Sequence, residues 1–447
     1  MAAARITELR LTSFKSFRRQ TLPIDATTIL IGRNGAGKSN ALDGLEVLSR
    51  LASGDDIRDA LDTESRSRDA IRGGSAGCSP HGSNSFEIGC RVVHEGRAFE
   101  YDVSIQTSPE VRVLRESLTG PAPAIKSGRI EQRDLIKSQL TSGRSSSINA
   151  EIYNGRRGTN PSEAFRDNRL IITQAPIRLS GKNSAERAIQ AACSAVTSAM
   201  IGIFHLDPIP HLMRSYTPER FSDLQRTGAN ISAAIGKLRS TDNDTLGRIV
   251  ALLGSVSDLD LNTIRVVRSD FGDVMMALSE MVGGDEEVTP AREMSDGLLR
   301  FTAICTALLT SNRGLDIAET LDPTAAEPGV TLVVEEIENG LHPAQAEHVL
   351  NFIREVSAEL DTQVLLTTHS PALLNAIKGP LNRSVIVCYR NRETGKSELG
   401  RVTSLPGYAR AMTLGGLGDV VTSGNLAGPS KTPTDYSDFL DFLGNVE

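Results

Sequence analysis

The chain has 447 residues, 39% of them apolar and 23% charged, which is the make-up of a globular protein of two or three domain-sized units, not of a disordered or fibrous one. It contains no apolar run long enough to cross a bilayer and opens with no signal-peptide core, so a soluble cytoplasmic protein is expected. Five cysteines, Cys78, Cys90, Cys193, Cys305 and Cys388, are scattered without a C-x-x-C pair, which points to reduced thiols and against a zinc site.

The net charge of −7 argues against a surface coated in non-specific nucleic-acid contacts, yet Arg112 to Arg187 holds 14 Lys/Arg against 7 Asp/Glu. Such a block is either a solvated face or a surface for an anionic partner. Only Tyr153 and Phe165 interleave it, so base stacking has little support.

Taken in order, residues 5–31 read as two strands around a turn, with Leu9 and Leu11 alternating with polar residues and Pro23 and Asp25 marking the break. The second, Thr27-Thr28-Ile29-Leu30-Ile31, is β-branched and apolar, as a buried parallel strand should be. It runs into Gly32-Arg33-Asn34-Gly35-Ala36-Gly37-Lys38-Ser39, the pattern G-x-x-x-x-G-K-S, and then into a helix carrying Leu42, Leu45, Leu48 and Leu51. A chance glycine-rich turn would lack this strand and helix. The glycines let the backbone curl so that its N–H groups face an anion, and the new helix adds its unpaired N–H groups. Lys38 would reach the β- and γ-phosphates, and the Ser39 hydroxyl would ligate Mg2+. A nucleoside triphosphate with Mg2+ is therefore the expected ligand.

Residues 52–84, rich in Gly, Ser, Asp and Arg, read as a mobile excursion, and 86–106 as a hairpin of an antiparallel subsheet. Residues 118–168, with Gly/Ser/Arg patches at 141–147 and 154–160, read as loop-rich. Ile171-Ile172-Thr173 reads as a strand, with Gln174 directly after it. Helical periodicity marks 184–203 and parts of 220–253; strand-like runs follow at 263–267 and 274–278, then an acidic loop at 283–288. Another helix, 298–309, follows Ser295-Asp296-Gly297. Thr331-Leu332-Val333-Val334 is a buried strand ending in Glu335-Glu336, Pro343 opens an amphipathic helix, and Val364 to Thr368 is a strand ending in His369. Residues 385–403 read as a hairpin turning at 392–395. The expected division is 1–183, an N-terminal lobe with the phosphate loop, antiparallel subsheet and basic insertion; 184–285, a helical lobe; 286–426, a C-terminal lobe; and 427–447, an acidic tail.

A strand ending in two acids is what a phosphate loop needs beside it. Glu335 would hold Mg2+, directly or through water, and Glu336 would orient or deprotonate the attacking water. His369, ending a neighbouring strand, would contact the γ-phosphate. Taken singly, each has an ordinary structural reading: a solvated strand end for the acids, a satisfied histidine for His369, a helix N-cap for Ser295. Their combination and order favour a site at the carboxyl ends of a parallel sheet.

On these residues the chain resembles an ABC-type ATPase head of the SMC/RecF/OLD branch, an α/β P-loop NTPase with a mixed nucleotide-binding sheet, an antiparallel subsheet and a helical lobe. Ser13 to Phe17 resembles the branch's N-terminal motif and Gly37-Lys38-Ser39-Asn40 its phosphate-loop ending. Met294 to Phe301 resembles its signature motif in the form of AAA15/AAA21-type ATPases, Val334 to Pro343 its Walker B and D-loop, and Thr368-His369-Ser370-Pro371 its switch histidine. The resemblance implies a slow ATPase that forms a head-to-tail ATP sandwich. In it, Ser295, Gly297 and Arg300 of one protomer would close on the γ-phosphate held by the partner's Asn34 to Asn40. Gln174 would take the Q-loop role. Glu335 stands where many relatives carry Asp, and Ile337 where Pro is frequent; neither removes a functional group.

The 78 residues after His369 contain no Asp-x-Asp and are too few for the TOPRIM nuclease domain of the OLD proteins. Stand-alone heads of this kind resemble the ATPase components of antiphage systems such as PARIS and the Rlo-type pairs, whose homo-oligomer controls a separate TOPRIM-like nuclease or toxin. A RecF/SMC-like DNA-binding repair clamp is the alternative, and an ATP-gated scaffold with negligible turnover a third. The Ser-Asp-Gly-Leu-Leu signature disfavours a transporter ATPase, and no membrane partner is expected.

Overall fold

The computed structural model describes residues 3–63, 70–123, 129–141, 146–257, 259–317, 326–339, 342–391, 393–405, 408 and 416–418. The acidic tail and the D-loop residues Gly340 and Leu341 lie outside them. Three strands open the chain: β1 (Arg5–Phe14), β2 (Phe17–Pro23) and β3 (Thr27–Ile31), so the expected pair is a hairpin plus a separate, wholly buried strand. Helix α1 (Lys38–Leu51) follows, then two short helices, α2 (Ile57–Asp62) and α3 (Gly74–Cys78), inside the supposed excursion.

The expected hairpin is β4 (Ser85–His94) and β5 (Arg97–Gln106). The stretch expected to be loop-rich is instead strand: β6 (Arg112–Pro123), β7 (Ile130–Ser138), β8 (Ser147–Ile152) and β9 (Ser162–Arg166) extend the hairpin as antiparallel neighbours. Pro121 and Pro123 pair across to Gln132 and Ile130; prolines rarely sit within a ladder, and they hid this strand. Ile171 to Thr173, expected to be extended, begin helix α4 (Ile171–Arg178), and the long helix α5 (Ser184–Ile201) packs beside it.

The chain then enters β10 (Ile203–Leu206), α6 (Pro210–Met213), β11 (Thr217–Pro218), α7 (Ile231–Thr241), α8 (Asn243–Ser255), β12 (Leu261–Arg268) and β13 (Asp273–Val282). The expected acidic loop is mostly an edge strand, β14 (Asp285–Pro290), paired to β13. Helix α9 (Asp296–Leu309), β15 (Thr331–Val334), α10 (Ala346–Glu359), β16 (Gln363–Thr368), α11 (Pro371–Ala376), β17 (Val385–Arg390) and β18 (Ser397–Arg401) complete the described elements. Pro343 opens a single 3-10 turn, Pro343–Gln345, before α10.

Fourteen strands form one mixed sheet in the order β10-β15-β16-β3-β17-β18-β2-β1-β4-β5-β6-β7-β8-β9, while β11 to β14 make a separate four-stranded sheet. The first five strands of the large sheet run parallel. Its parallel region is buried on both faces, and the two-residue period of a strand sorts its side chains. Leu30, Val333 and Leu365 join one apolar core with α1 and α5; Ile29, Ile31, Leu332, Val334, Val364 and Leu366 join a second with α7 to α10. All five cysteines are free and buried. Among the described residues, no helix is long and apolar enough to cross a membrane.

Candidate active site

The carboxyl end of β3 turns directly into the phosphate loop. Gly32, Gly35 and Gly37 have φ of 154°, 79° and 118°, values that L side chains rarely adopt. The loop is also pressed against its neighbours: a Cβ on Gly32 would stand 2.2 Å from the Cys388 carbonyl oxygen, and one on Gly37 2.4 Å from Ser397 Oγ. Ser397 Oγ donates to the Ala36 carbonyl at 2.6 Å, and Ser16 Oγ lies 2.8 Å from Ser397 and accepts from Asn40 Nδ2 at 2.9 Å. The N-terminal motif thus braces the loop from beneath, through Ser16. Asn34 and Gly35 are exposed at its mouth, and a Cβ on Gly35 would meet nothing within 4 Å.

Lys38 folds back on this loop, Nζ donating to the carbonyls of Gly32 at 2.5 Å and Arg33 at 3.2 Å. Burial lowers its pKa, against the opposing influence of Cys388, Glu336, Glu338 and Glu335. Next to it, Ser39 Oγ donates to Glu335 Oε2 at 3.1 Å, a contact between residues 296 positions apart. A hydroxyl and a carboxylate side by side at the start of a helix are hard oxygen donors suited to Mg2+, which takes its remaining ligands from phosphate and water. Among the described residues, no cluster of three or more His, Cys, Asp or Glu could hold a metal ion.

Glu336 sits just beyond the strand in a left-handed turn, φ 48°. Its N–H donates to Thr367 Oγ1 at 2.8 Å, and its carboxylate accepts from Asn339 Nδ2 at 2.7 Å. His369, at the end of β16, is held by Glu338: Oε1 accepts from the His369 backbone N–H at 2.7 Å and lies 3.1 Å from Nδ1. Glu338 was not singled out in the sequence.

Ser295 caps α9, its Oγ accepting from the Leu298 N–H at 3.3 Å, while Arg214 bonds both the Met294 carbonyl and Asp296, each at 2.7 Å. Ser295 and Asp296 are exposed. The hydrogen bond of Ser295 is made within α9, not to the phosphate loop. Arg300 acts instead on Asp207 beyond β10, whose carboxyl is raised by burial and by Glu335 but lowered by His205, Arg300 and Arg72.

Gln174 is not brought to this cluster. It lies in the first turns of a helix and its amide is spent on backbone, accepting from Arg166 N–H and donating to the carbonyls of Arg166, Arg169 and Leu170. Two residues not singled out in the sequence, His205 and Arg72, do reach the cluster, and Lys15 of the N-terminal motif joins Arg72 at Asp43. His205 Nε2 lies 3.2 Å from Glu335 Oε1; Arg72 Nη2 donates to the Ser39 carbonyl at 2.9 Å and to Asp43 at 2.8 Å; Lys15 Nζ donates to Asp43 at 2.8 Å. The signal for His205 was a short apolar strand ending in an acid, Ile203-Phe204-His205-Leu206-Asp207, which repeats the pattern of 331–335.

A parallel sheet whose central strand feeds a glycine-cradled lysine and serine, with paired acids and a histidine at the ends of the next strands, defines an α/β P-loop NTPase of the ABC-ATPase type. Residues 27–375 match the AAA_21 family, described as "AAA domain, putative AbiEii toxin, Type IV TA system", and the chain belongs to that family. A comparison with curated proteins finds no match. Among solved structures the chain is similar to an SMC head bound to the C-terminal winged-helix domain of ScpA (13% identity, 89% of this chain and 97% of that one, TM-score 0.47). It is similar too to an SMC head domain from Thermotoga maritima (12%, 89% and 98%, 0.39). A third is an Smc head with an extended coiled coil bound to the C-terminal domain of ScpA, from Pyrococcus furiosus (13%, 89% and 96%, 0.42). These likenesses are distant; the class rests on the sheet order, the site and the family match.

Proposed function

We propose that the chain binds ATP with Mg2+, hydrolyses it slowly, and uses the cycle to control a separate effector. The observation that carries the reading is the Ser39–Glu335 contact, which unites two motifs 296 residues apart at one point beyond the parallel strands. The loop N–H groups of Asn34 to Asn40 would cradle the phosphates while Lys38 leaves its carbonyls to follow the γ-phosphate. Ser39 and Glu335 would hold Mg2+, which would supply charge neutralisation at the phosphates. Glu336, steadied by Asn339, would take the proton of the attacking water, and His369, steadied by Glu338, would orient that water and the γ-phosphate.

Ser295 and Gly297 lie at the start of a helix, which suits them to an anion presented by a second protomer. A head-to-tail dimer would supply it, with Arg300 adding charge or bracing the interface. The effector reading rests on the resemblance to antiphage ATPases and on a family description that names a putative toxin. We assign its docking to the basic stretch 107–183; arginine replacements there that leave effector binding and trigger response unchanged would remove that assignment.

Phosphate release from purified protein is the direct test. Lys38→Ala is expected to lose ATP binding, and Glu336→Gln to keep binding while losing turnover by about 100-fold or more. Equal turnover in wild type and Glu336→Gln would overturn the assignment of the base. A pull-down from the native host with neighbouring genes intact separates the partner readings. A stoichiometric nuclease or toxin supports effector control, whereas Lys38-dependent DNA with no second protein supports the repair clamp.

A further inference from the structure

Strand β10 lies against β15 in parallel register, His205 opposite Val333 and Leu206 opposite Val334, so Asp207 is level with Glu335. Alternation fixes where the histidine goes. Phe204 and Leu206 enter the core beneath α9 and α10, while Ile203 enters the one shared with α1. His205 therefore faces the side on which α1 begins at Lys38 and Ser39. Its side chain is only 16% exposed, and Nε2 stands 3.2 Å from Glu335 Oε1 while the other oxygen, Oε2, accepts from Ser39 Oγ. The two carboxylate oxygens thus have different partners: one turned to the hydroxyl beside the phosphate loop, the other to the imidazole.

We propose that His205 is a positioning residue of the nucleotide-metal site, holding Glu335 so that Oε2 is presented beside Ser39. The inference rests on the reading of this site as one for Mg2+ and ATP. A carboxylate at a strand end turns freely about its terminal bond unless a donor pins one oxygen, and partners that pin a ligand typically change metal affinity 10–100-fold when removed. Surrounding groups restrict His205 to this task. Asp207 follows two residues later, and Arg72 is bonded to the Ser39 carbonyl and Asp43, leaving His205 as the side chain bonded to Oε1 among the described contacts.

The test is Mn2+ binding to the full chain in the presence of ADP, read by electron paramagnetic resonance, with nucleotide affinity measured separately in EDTA. His205→Ala is expected to weaken Mn2+ binding about 10–100-fold with nucleotide affinity in EDTA unchanged. His205→Gln, whose amide nitrogen sits at the reach of Nε2, is expected to restore it, and His205→Asn, one bond shorter, is not. Should the alanine variant misfold, the Gln–Asn contrast decides. Equal Mn2+ affinity in wild type, Ala and Asn overturns the inference, as does a Gln variant no better than Asn. Wild-type protein that binds no Mn2+ with nucleotide overturns the reading of the site itself.

Discussion

At the scale of single residues, the phosphate loop leaves no room for a side chain at Gly32. A methyl group on Gly32 would collide with backbone, the Cys388 carbonyl at 2.2 Å, and the residue would keep a φ of 154°. Gly32→Ala is therefore predicted to destabilise the fold by upward of about 2 kcal/mol, measurable by denaturant unfolding without nucleotide; an unchanged midpoint would contradict the packing described. Glu116, wholly buried on β6, makes a different prediction. Its carboxylate accepts from the N–H groups of Ile171 and Ile172 at 2.6 and 2.9 Å, yet burial prevails and pushes its pKa from 4.5 up to about 7. A carboxyl raised in the fold favours the folded state below its unfolded pKa, and that contribution fades as pH rises through the folded value. The melting temperature of wild type relative to Glu116→Gln should accordingly fall between about pH 5 and about pH 8. A difference independent of pH would show that Glu116 does not titrate in that range.

Among the elements, α1 is tied to the rest of the site by charge as well as by its leucines. Glu46 on α1 is bonded to Arg50 on the same helix and to Arg226 in the segment before α7, all three nearly buried. Burial would raise the Glu46 carboxyl, but Arg226 and Arg50 outweigh it and bring it down to about 2. Glu46→Gln takes the counter-charge from the buried Arg226 guanidinium and should cost about 3–5 kcal/mol, seen as a lower unfolding midpoint; a loss under about 1 kcal/mol would mean the network relaxes. Whether an element could be recognised in advance depended on how local its cause is. The phosphate loop, β3, β15 and β16 announce themselves through continuous apolar runs that end in chemically distinctive residues. Helix α4 does not: Ile171-Ile172-Thr173 has strand composition, and its first N–H groups are capped by Glu116, 55 positions away. Strands β6 to β9 were hidden by prolines and by outward polar residues, since their inward set, including Leu118, Leu135, Ile148 and Ile152, is sparse. His205 was missed because its partner is defined by which strand lies beside which, and no short motif records that.

For the whole molecule, the proposed head-to-tail dimer would set the exposed start of α9 of one copy against the phosphate loop of another. Glu336→Gln with ATP is predicted to double the mass measured by light scattering, and Ser295→Arg to abolish the doubling while leaving ATP binding intact. A monomer under both conditions would remove the head-to-tail arrangement. The sheet order also governs how the protein is made. Strand β3 lies between β16 and β17, so residues 27–31 find their neighbours only in residues 363–368 and 385–390. Strands β4 to β9, paired in succession, can assemble as they leave the ribosome, but the nucleotide site cannot exist until almost the whole chain has been synthesised. Until then an apolar strand has no bed to lie in, a state prone to aggregation. Translation that stops before residue 385 should therefore yield not a weaker ATPase but an insoluble chain dependent on chaperones.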